Sequence, residues 1–347
     1  MGTRRVNDGA TAIDTGRLAA FLARAAGATR VRVETFEPLA GGAIQDNRRL
    51  AAEIEGGPSA GRLDAVVRMD APSRVAVSHD RASEFALLRR MFAAGVRVPE
   101  PLWLCADAAV LGRSFFIMRR VEGEALGHRL VKTAAEHGFG DALAAELGEE
   151  LAKIHAVPFA APELSFLAAP SRAPGLDRVM TYRDFLDDLP DPAPAVEWGL
   201  AWLERHAQPQ GPLALCHRDF RTGNYLVADG RLAAVLDWEF AGIGDPDEDL
   251  GWFLAKCWRF GQVAREAGGI GSRDAFLAAY ERRAGRTVDR TRLGYWETMA
   301  HVRWAVIALQ QADRHASGAE ESLELALTAH VVPELEWEIL ERTREGA

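Results

Sequence analysis

Apolar positions along the chain change period more than once. Leu18, Phe21, Leu22 and Ala25 recur at helical spacing behind the capping pair Asp14-Thr15, and Gly27 stops the run. From Arg30 the period becomes two, so that VRVETFEPL, RRLAAEIE and RLDAVVRMD each read as a strand. Gly41-Gly42-Ala43-Ile44-Gln45-Asp46-Asn47 separates the first two strands, and Gly56-Gly57-Pro58-Ser59 the second two. Helical spacing returns from Arg81 to Ala94, with Phe85, Leu88 and Phe92 on the inner face and Gly95 as terminator. Pro99 and Pro101 then lead into strand-like sequence ending in SFFIMRRVEG.

Beyond Glu122-Gly123 the pattern is mainly helical. DALAAELGEELAKIHAVP places Leu143, Leu147, Leu151 and Ile154 on one stripe. Residues 160–195 are rich in helix breakers and predict loops with one short helix. LALCHRDFRTGNYLVADGRLAAVLDWEF reads as a loop followed by a hairpin that turns at Asp229-Gly230. A broadly apolar helix is expected near 294–312, and a last one interrupted by Pro333. The chain therefore reads as α+β, with a β-rich part over residues 1–121 and a larger α-rich part over 122–347.

Composition removes several classes. With 48% hydrophobic and 26% charged residues in 347, the sequence is that of a globular protein of two domains or lobes. Its 41 basic against 50 acidic residues give a formal charge of −9, which argues against nucleic acid as a partner. Cys105, Cys216 and Cys257 are few and widely spaced, so neither a disulfide framework nor a cysteine zinc site is expected. No run of about 18 apolar residues predicts a membrane span, and MGTRRVNDGA lacks the apolar stretch of a secretory signal. A cytoplasmic location is the expectation.

Candidate chemistry concentrates in His217-Arg218-Asp219-Phe220-Arg221-Thr222-Gly223-Asn224 and the following Asp237-Trp238-Glu239. A two-residue turn at Asp229-Gly230 sets Asn224 opposite Val235, with Asp237 two residues further on the same face. Such diagonal neighbours approach closely enough for an amide oxygen and a carboxylate to share one divalent cation. Tyr225, Val227, Leu232, Leu236 and Trp238 occupy the other face and suit burial. Asp219, five residues before Asn224, can orient an incoming hydroxyl and accept its proton. Phosphoryl transfer asks mainly for such positioning and charge stabilisation.

The spacing H-x-D-x-x-x-x-N, a hairpin and a metal-binding Asp resembles the protein-kinase signature. Asp-Trp-Glu and the trailing GDPDEDLGWF resemble the aminoglycoside phosphotransferase and choline kinase family. The wider sequence is similar to bacterial phosphotransferases related to kinase modules attached to some acyl-CoA dehydrogenases. The likeness runs over roughly residues 30–310 and includes LAGGAIQDN, VVRMDAP, the helix bearing Glu84, FFIMRRVEGE, LAKIHAVP and CHRDFRTGN. It implies a two-lobed protein-kinase-like fold, with a small antiparallel β-rich N-lobe and a larger helical C-lobe. It also implies Asp219 as catalytic base and Asn224 and Asp237 as ligands of Mg2+. Arg68 and Glu84 would be the phosphate-binding ion pair, Gly41 and Gly42 part of the loop over the phosphates, and Met118 to Arg120 the connector beside the base. His217 and Asp249 would support the catalytic loop. Two departures stand out: Arg68 replaces the usual Lys, and the phosphate loop lacks G-x-G-x-x-G.

The implied activity is transfer of the γ-phosphoryl group of ATP or GTP, with Mg2+, to a hydroxyl of a small-molecule acceptor. No activation segment with an A-P-E ending follows Asp237, which disfavours a protein substrate. A degenerate kinase-like protein that binds nucleotide without turnover is the alternative, and a hydrolytic metal site of His217, Asp219, Asp237 and Glu239 ranks behind both. His155 reads as structural, and His301, His315 and His330 lack metal-ligand spacing. Asp184, Asp187, Asp188, Asp191 and Glu197 read as a solvated face, with a site for a cationic acceptor as the other reading. Trp252, Trp258, Trp296 and Trp304 read as core rather than as a substrate cage. Aminoglycosides, amine alcohols, sugars, macrolides and hydroxyacyl-CoA thioesters all remain open as acceptors.

Overall fold

The computed structural model describes residues 15–39, 46–70 and 78–344. The chain divides into two compact units, one of Met1–Phe85 with Pro99–Arg120, the other of Ala86–Val98 with Val121–Ala347.

The first unit holds α1 (Thr15–Ala25), β1 (Arg30–Pro38), β2 (Asp46–Glu55), β3 (Gly61–Met69), the first turn of α2 (Arg81–Ala93), β4 (Pro101–Cys105), α3 (Ala108–Leu111) and β5 (Phe115–Arg119). The five strands form one antiparallel sheet in the order β1-β2-β3-β5-β4. Leu18 and Leu22 of α1 meet Leu50, Ile54, Ala65, Val67 and Phe115 on one face of it, in an apolar core. Burial of this apolar area is the main force holding the helix to the sheet. Because strand side chains alternate, Arg68 points to the face opposite Ala65, Val67 and Met69. That face also carries Phe116, whose ring lies 5.7 Å from Phe85.

Asp80 accepts from the Ser83 N–H at 2.8 Å and caps α2. Along this helix Phe85, Leu87, Leu88 and Met91 are buried, whereas Phe92 is 47% exposed. Phe92 is thus not part of the inner face, because it lies about 100° beyond Met91 on the helical wheel.

The second unit contains α4 (Gly127–His137), α5 (Gly140–His155), α6 (Pro174–Asp187), α7 (Pro194–Arg205), β6 (Ala214–Cys216), β7 (Tyr225–Ala228), β8 (Arg231–Val235) and β9 (Gly242–Gly244). It continues with α8 (Pro246–Leu254), α9 (Arg273–Ala284), α10 (Arg290–Ala316), α11 (Leu323–Thr328) and α12 (Val332–Arg342). Two ribbons, β6–β9 and β7–β8, are set among the helices. Leu143, Leu147, Leu151 and Ile154 of α5 are fully buried, as their stripe predicts. Gly148 lets α5 approach α9 closely, since a Cβ there would stand 2.3 Å from the Phe276 carbonyl oxygen. The 27-residue α10 buries Trp296, Met299, Val302 and Val306 against α6, α7 and α12.

Two expectations are corrected here. Residues 174–187 form a full 14-residue helix rather than a short one, with Pro174 in its first turn, where a missing N–H costs nothing. Pro333 likewise opens α12 instead of interrupting a helix. Among the described residues no helix is long and apolar enough to cross a membrane.

Candidate active site

The loop 217–224 leaves β6 and enters β7, and Asp249 holds its beginning. Asp249 sits fully buried in the first turn of α8, where the Asp245 side chain caps the helix by accepting from the Asp247 N–H at 3.0 Å. One Asp249 oxygen accepts from the His217 N–H at 2.7 Å and the other from the Arg218 N–H at 2.6 Å. His155 Nε2 stands 3.0 Å from the same carboxylate, while its Nδ1 pairs with the Tyr280 hydroxyl at 2.8 Å. Burial pushes the Asp249 carboxyl up, but His155 and the donors of His217 outweigh it and hold it below the ordinary carboxylate range.

His217 is itself completely buried, and burial pushes its pKa down, so it is neutral. Nε2 faces the Leu236 carbonyl at 2.8 Å and must carry the proton; Nδ1 accepts from the Asp219 N–H at 3.1 Å. Both ring nitrogens are engaged, which removes His217 from any metal site. Arg218 takes a left-handed φ of 63° between these two anchored residues.

The Asp219 carboxylate is oriented by three donors. Trp252 Nε1 reaches Oδ1 at 2.9 Å and Arg221 Nε reaches it at 3.2 Å. Asn224 Nδ2 donates to Oδ2 at 2.5 Å and to the Asp219 carbonyl at 2.9 Å. The nitrogen end of the Asn224 amide is thereby fixed on Asp219, and Oδ1 is its acceptor end.

The hairpin register differs from the one expected. Tyr225 pairs with Val235 and Leu226 with Ala234, but Val227 pairs with Leu232, so Ala233 is an extra residue in a bulge. Asn224 consequently lies across from Leu236, whose N–H donates to the Asn224 carbonyl at 2.8 Å, and not across from Val235. The bulge also exchanges burial: Val235 is fully buried, whereas Leu236 is half-buried. Asp237 follows Leu236 directly, in a left-handed conformation with φ 59°.

In the first unit Arg68 Nε lies 2.8 Å from Glu84, and both side chains are buried. Arg81 shares Glu84 at 2.5 Å and also reaches Asp70 at 3.2 Å. Met118 lies inside β5 opposite Val66, and the Arg120 N–H bonds the Asp64 carbonyl at 3.0 Å. Gly41 and Gly42 lie outside the described residues.

Sequence reasoning missed several members of this constellation. Arg221 was within the motif but carried no assigned role; it stacks on Trp258 at 4.5 Å as well as reaching Asp219. Trp252 is core by burial, as expected, yet its N–H serves Asp219. Donors from His155, Cys216 and Asp249 lie within 4.8 Å of one another. Hydrogen bonding explains the trio: Asp249 and His155 are engaged as above, Cys216 Sγ faces the Asp245 carbonyl at 3.4 Å, and burial raises the thiol pKa.

A braced loop carrying an oriented carboxylate, with an amide and a second carboxylate on the adjoining hairpin, is the arrangement expected of a kinase-like phosphotransferase. The model of the phosphotransferase enzyme family matches residues 35–293, and the chain belongs to that family. Among curated proteins it is similar to acyl-CoA dehydrogenase family member 11. The Pongo abelii protein is 26% identical over 269 residues, covering 74% of this chain and 34% of its own. The Gallus gallus protein is 32% identical over 184 residues, covering 50% and 23%. The chain thus spans about a third or less of the length of these relatives. A Ralstonia eutropha protein described as a candidate aminoglycoside phosphotransferase shares the fold with a TM-score of 0.74 at 22% identity, over 95% of this chain and 98% of that one. Aminoglycoside phosphotransferase APH(4)-Ia, solved with AMP-PNP and hygromycin B, does so with a TM-score of 0.61 at 18% identity, over 95% and 98%. The expected fold class, an antiparallel β-rich N-terminal lobe and a helical C-terminal lobe of kinase type, is the one observed.

Proposed function

We propose that this protein transfers the γ-phosphoryl group of ATP or GTP to a hydroxyl of a small-molecule acceptor. The observation that carries the reading is the coupling of Asp219 to Asn224 on a loop locked by Asp249. In this reading residues 122–347 supply the base, the metal ligands and the acceptor site, and residues 1–121 bind the nucleotide phosphates through Arg68, Gly41 and Gly42. Glu84 holds Arg68 in place, and the strand end from Met118 to Arg120 serves the base of the nucleotide.

Asp219, fixed by three donors, turns one edge to the acceptor hydroxyl. The acceptor oxygen forms a bond to the γ-phosphorus as the bond to the bridging oxygen breaks; the nucleoside diphosphate leaves and the hydroxyl proton passes to Asp219. Asn224 Oδ1 and the Asp237 carboxylate form a hard oxygen donor set, which suits Mg2+ rather than a soft metal. When bound, the ion neutralises charge on the transferred group. Arg68 differs from a Lys in presenting a planar fork, which matches two phosphate oxygens.

The test is thermal stability with Mg2+ alone and with Mg2+ plus ATP or GTP. A ligand at a hundred times its dissociation constant stabilises by about 2.7 kcal/mol. Wild type should melt several degrees higher with one of the nucleotides, and Asp237→Asn should not. No shift in wild type at millimolar nucleotide overturns the reading.

A further inference from the structure

Three guanidinium groups gather around the buried phenol of Tyr182, and two of them meet one carboxylate. Arg178 on α6 pairs through Nε with one Glu248 oxygen at 3.0 Å, and Arg218 Nε lies 3.6 Å from the other. Arg303 on α10 donates to the Arg218 carbonyl and lies over Trp252 at 4.2 Å. The charges of Arg303, Arg178 and Arg218 all act on Tyr182, so the group is compact. Glu248 is the one carboxylate ion-paired with any of the three among the described residues; Asp177 acts on Arg178 only from further off. With the buried Asp249 carboxylate on the Arg218 N–H counted beside Glu248, three positive charges face two negative ones, which leaves a surplus of one in a setting where uncompensated charge is costly.

This surplus adjoins the reacting centre. Trp252 carries Arg303 on its face and donates its indole N–H to Asp219. The arginine group and the Asp219 carboxylate therefore stand on one indole, within the span of one small molecule. Asp219 has its own cation in Arg221 and does not neutralise the group. The cluster is also reachable, because the Arg178 and Arg218 side chains keep 14% and 19% of their exposure. The two terminal nitrogens of Arg178, which can fork a carboxylate or a phosphate, make no hydrogen bond among the described residues. Gly242 makes room for this group, since a Cβ there would stand 2.1 Å from Arg218 Nη1. By contrast Asp184, Asp187, Asp188, Asp191 and Glu197 are all exposed, as a solvated face.

We propose that the phosphoryl acceptor is itself an anion, a hydroxy compound whose carboxylate or phosphate group is held by Arg178 beside Arg218 and Arg303 while its hydroxyl meets Asp219. The proposal rests on the phosphotransferase reading above and deepens it.

The test is thermal melting of the full chain with Mg2+ and AMP-PNP, titrated with 3-hydroxybutyrate, glycerol 2-phosphate, choline and neutral glycerol. An anionic probe should raise the melting temperature, and the carboxylate and phosphate arms identify which anion is preferred. Choline and glycerol should not raise it. In Arg178→Met the apparent dissociation constant of the anionic probe should rise about tenfold or more, as for loss of a charged hydrogen bond. Arg178→Lys, which keeps the charge but not the fork, should lose less and carries the comparison if the Met variant does not fold. A shift produced by choline instead, an anion shift untouched by Arg178→Met, or no shift with either anion overturns the proposal. Failure of both AMP-PNP and, in its place, GMP-PNP to raise the melting temperature sinks the phosphotransferase reading, and is read separately before any probe is added.

Discussion

His217 Nε2 donates to the Leu236 carbonyl at 2.8 Å, tying the residue two before Asp219 to the residue just before Asp237. A single neutral imidazole thus joins the loop that carries Asp219 to the hairpin end that carries Asp237. Asp249 fixes the same imidazole's backbone from the other side. Misplacement of one segment is therefore transmitted to the other, and the spacing of the functional groups is set by a buried hydrogen-bond chain, which solvent does not loosen.

This burial makes the protein acid-sensitive above the carboxylate range. Burial and the nearby Arg342, Arg259 and Lys256 push His301 down to about 3, and burial lowers His217 as well. Both lie below the ordinary histidine value of 6.5, so the unfolded chain takes up protons first as pH falls. Their contribution is whole above pH 6.5 and is lost as pH falls from there toward the folded values, for His301 at about 1.4 kcal/mol per pH unit. Asp249 adds a further loss below its ordinary value of 3.8. Urea unfolding at pH 7.5 and 5.5 should show lower stability at 5.5, and His301→Leu should reduce the difference by about one histidine's share. An unchanged difference in that variant contradicts the assignment.

Glu84 neutralises two buried guanidinium groups, those of Arg68 and Arg81. Glu84→Gln keeps the shape and removes the charge that Arg68 and Arg81 share, although Arg81 retains Asp70. The expected loss of stability is about 3–5 kcal/mol, as for removal of one partner from a buried pair. The urea midpoint measures it. A loss below about 1 kcal/mol would place the pair among weak surface bridges.

Trp252 acts through Asp219 by orienting it. Trp252→Phe retains most of the packing and deletes the N–H that reaches Oδ1 at 2.9 Å. Turnover should fall about tenfold, with KM for nucleotide and the nucleotide-induced melting shift little changed. A parallel loss of nucleotide binding would show a structural role only.

Periodicity revealed the strands of the first unit and the stripe of α5 because one face of each is buried against a core. It misjudged Phe92, since a stripe built on Phe85 and Leu88 continues equally well to Met91 or Phe92 until the packing partner is known. The hairpin was legible but its register was not: a bulge at Ala233 leaves no mark in the composition and moves every partner beyond it by one. α6 was hidden by its proline and its many polar residues, and its buried stripe of Val179, Tyr182 and Leu186 emerges only against α10. The residues of the motif could be found by spacing. Of their supports Asp249 could be named through the resemblance, but Trp252, Arg303 and Glu248 could not, because they reach the loop through tertiary contacts from α8 and α10.

The central claim is that Asp219 takes the proton of an acceptor hydroxyl during phosphoryl transfer. The most direct measurement is acceptor-dependent release of ADP or GDP by wild type and Asp219→Asn, with Mg2+ and a panel of small hydroxy compounds. The account predicts release that depends on an acceptor in wild type and falls about 10²–10⁴-fold in Asp219→Asn, while the nucleotide-induced melting shift persists. Release that is independent of every acceptor, or that survives Asp219→Asn undiminished, would contradict it.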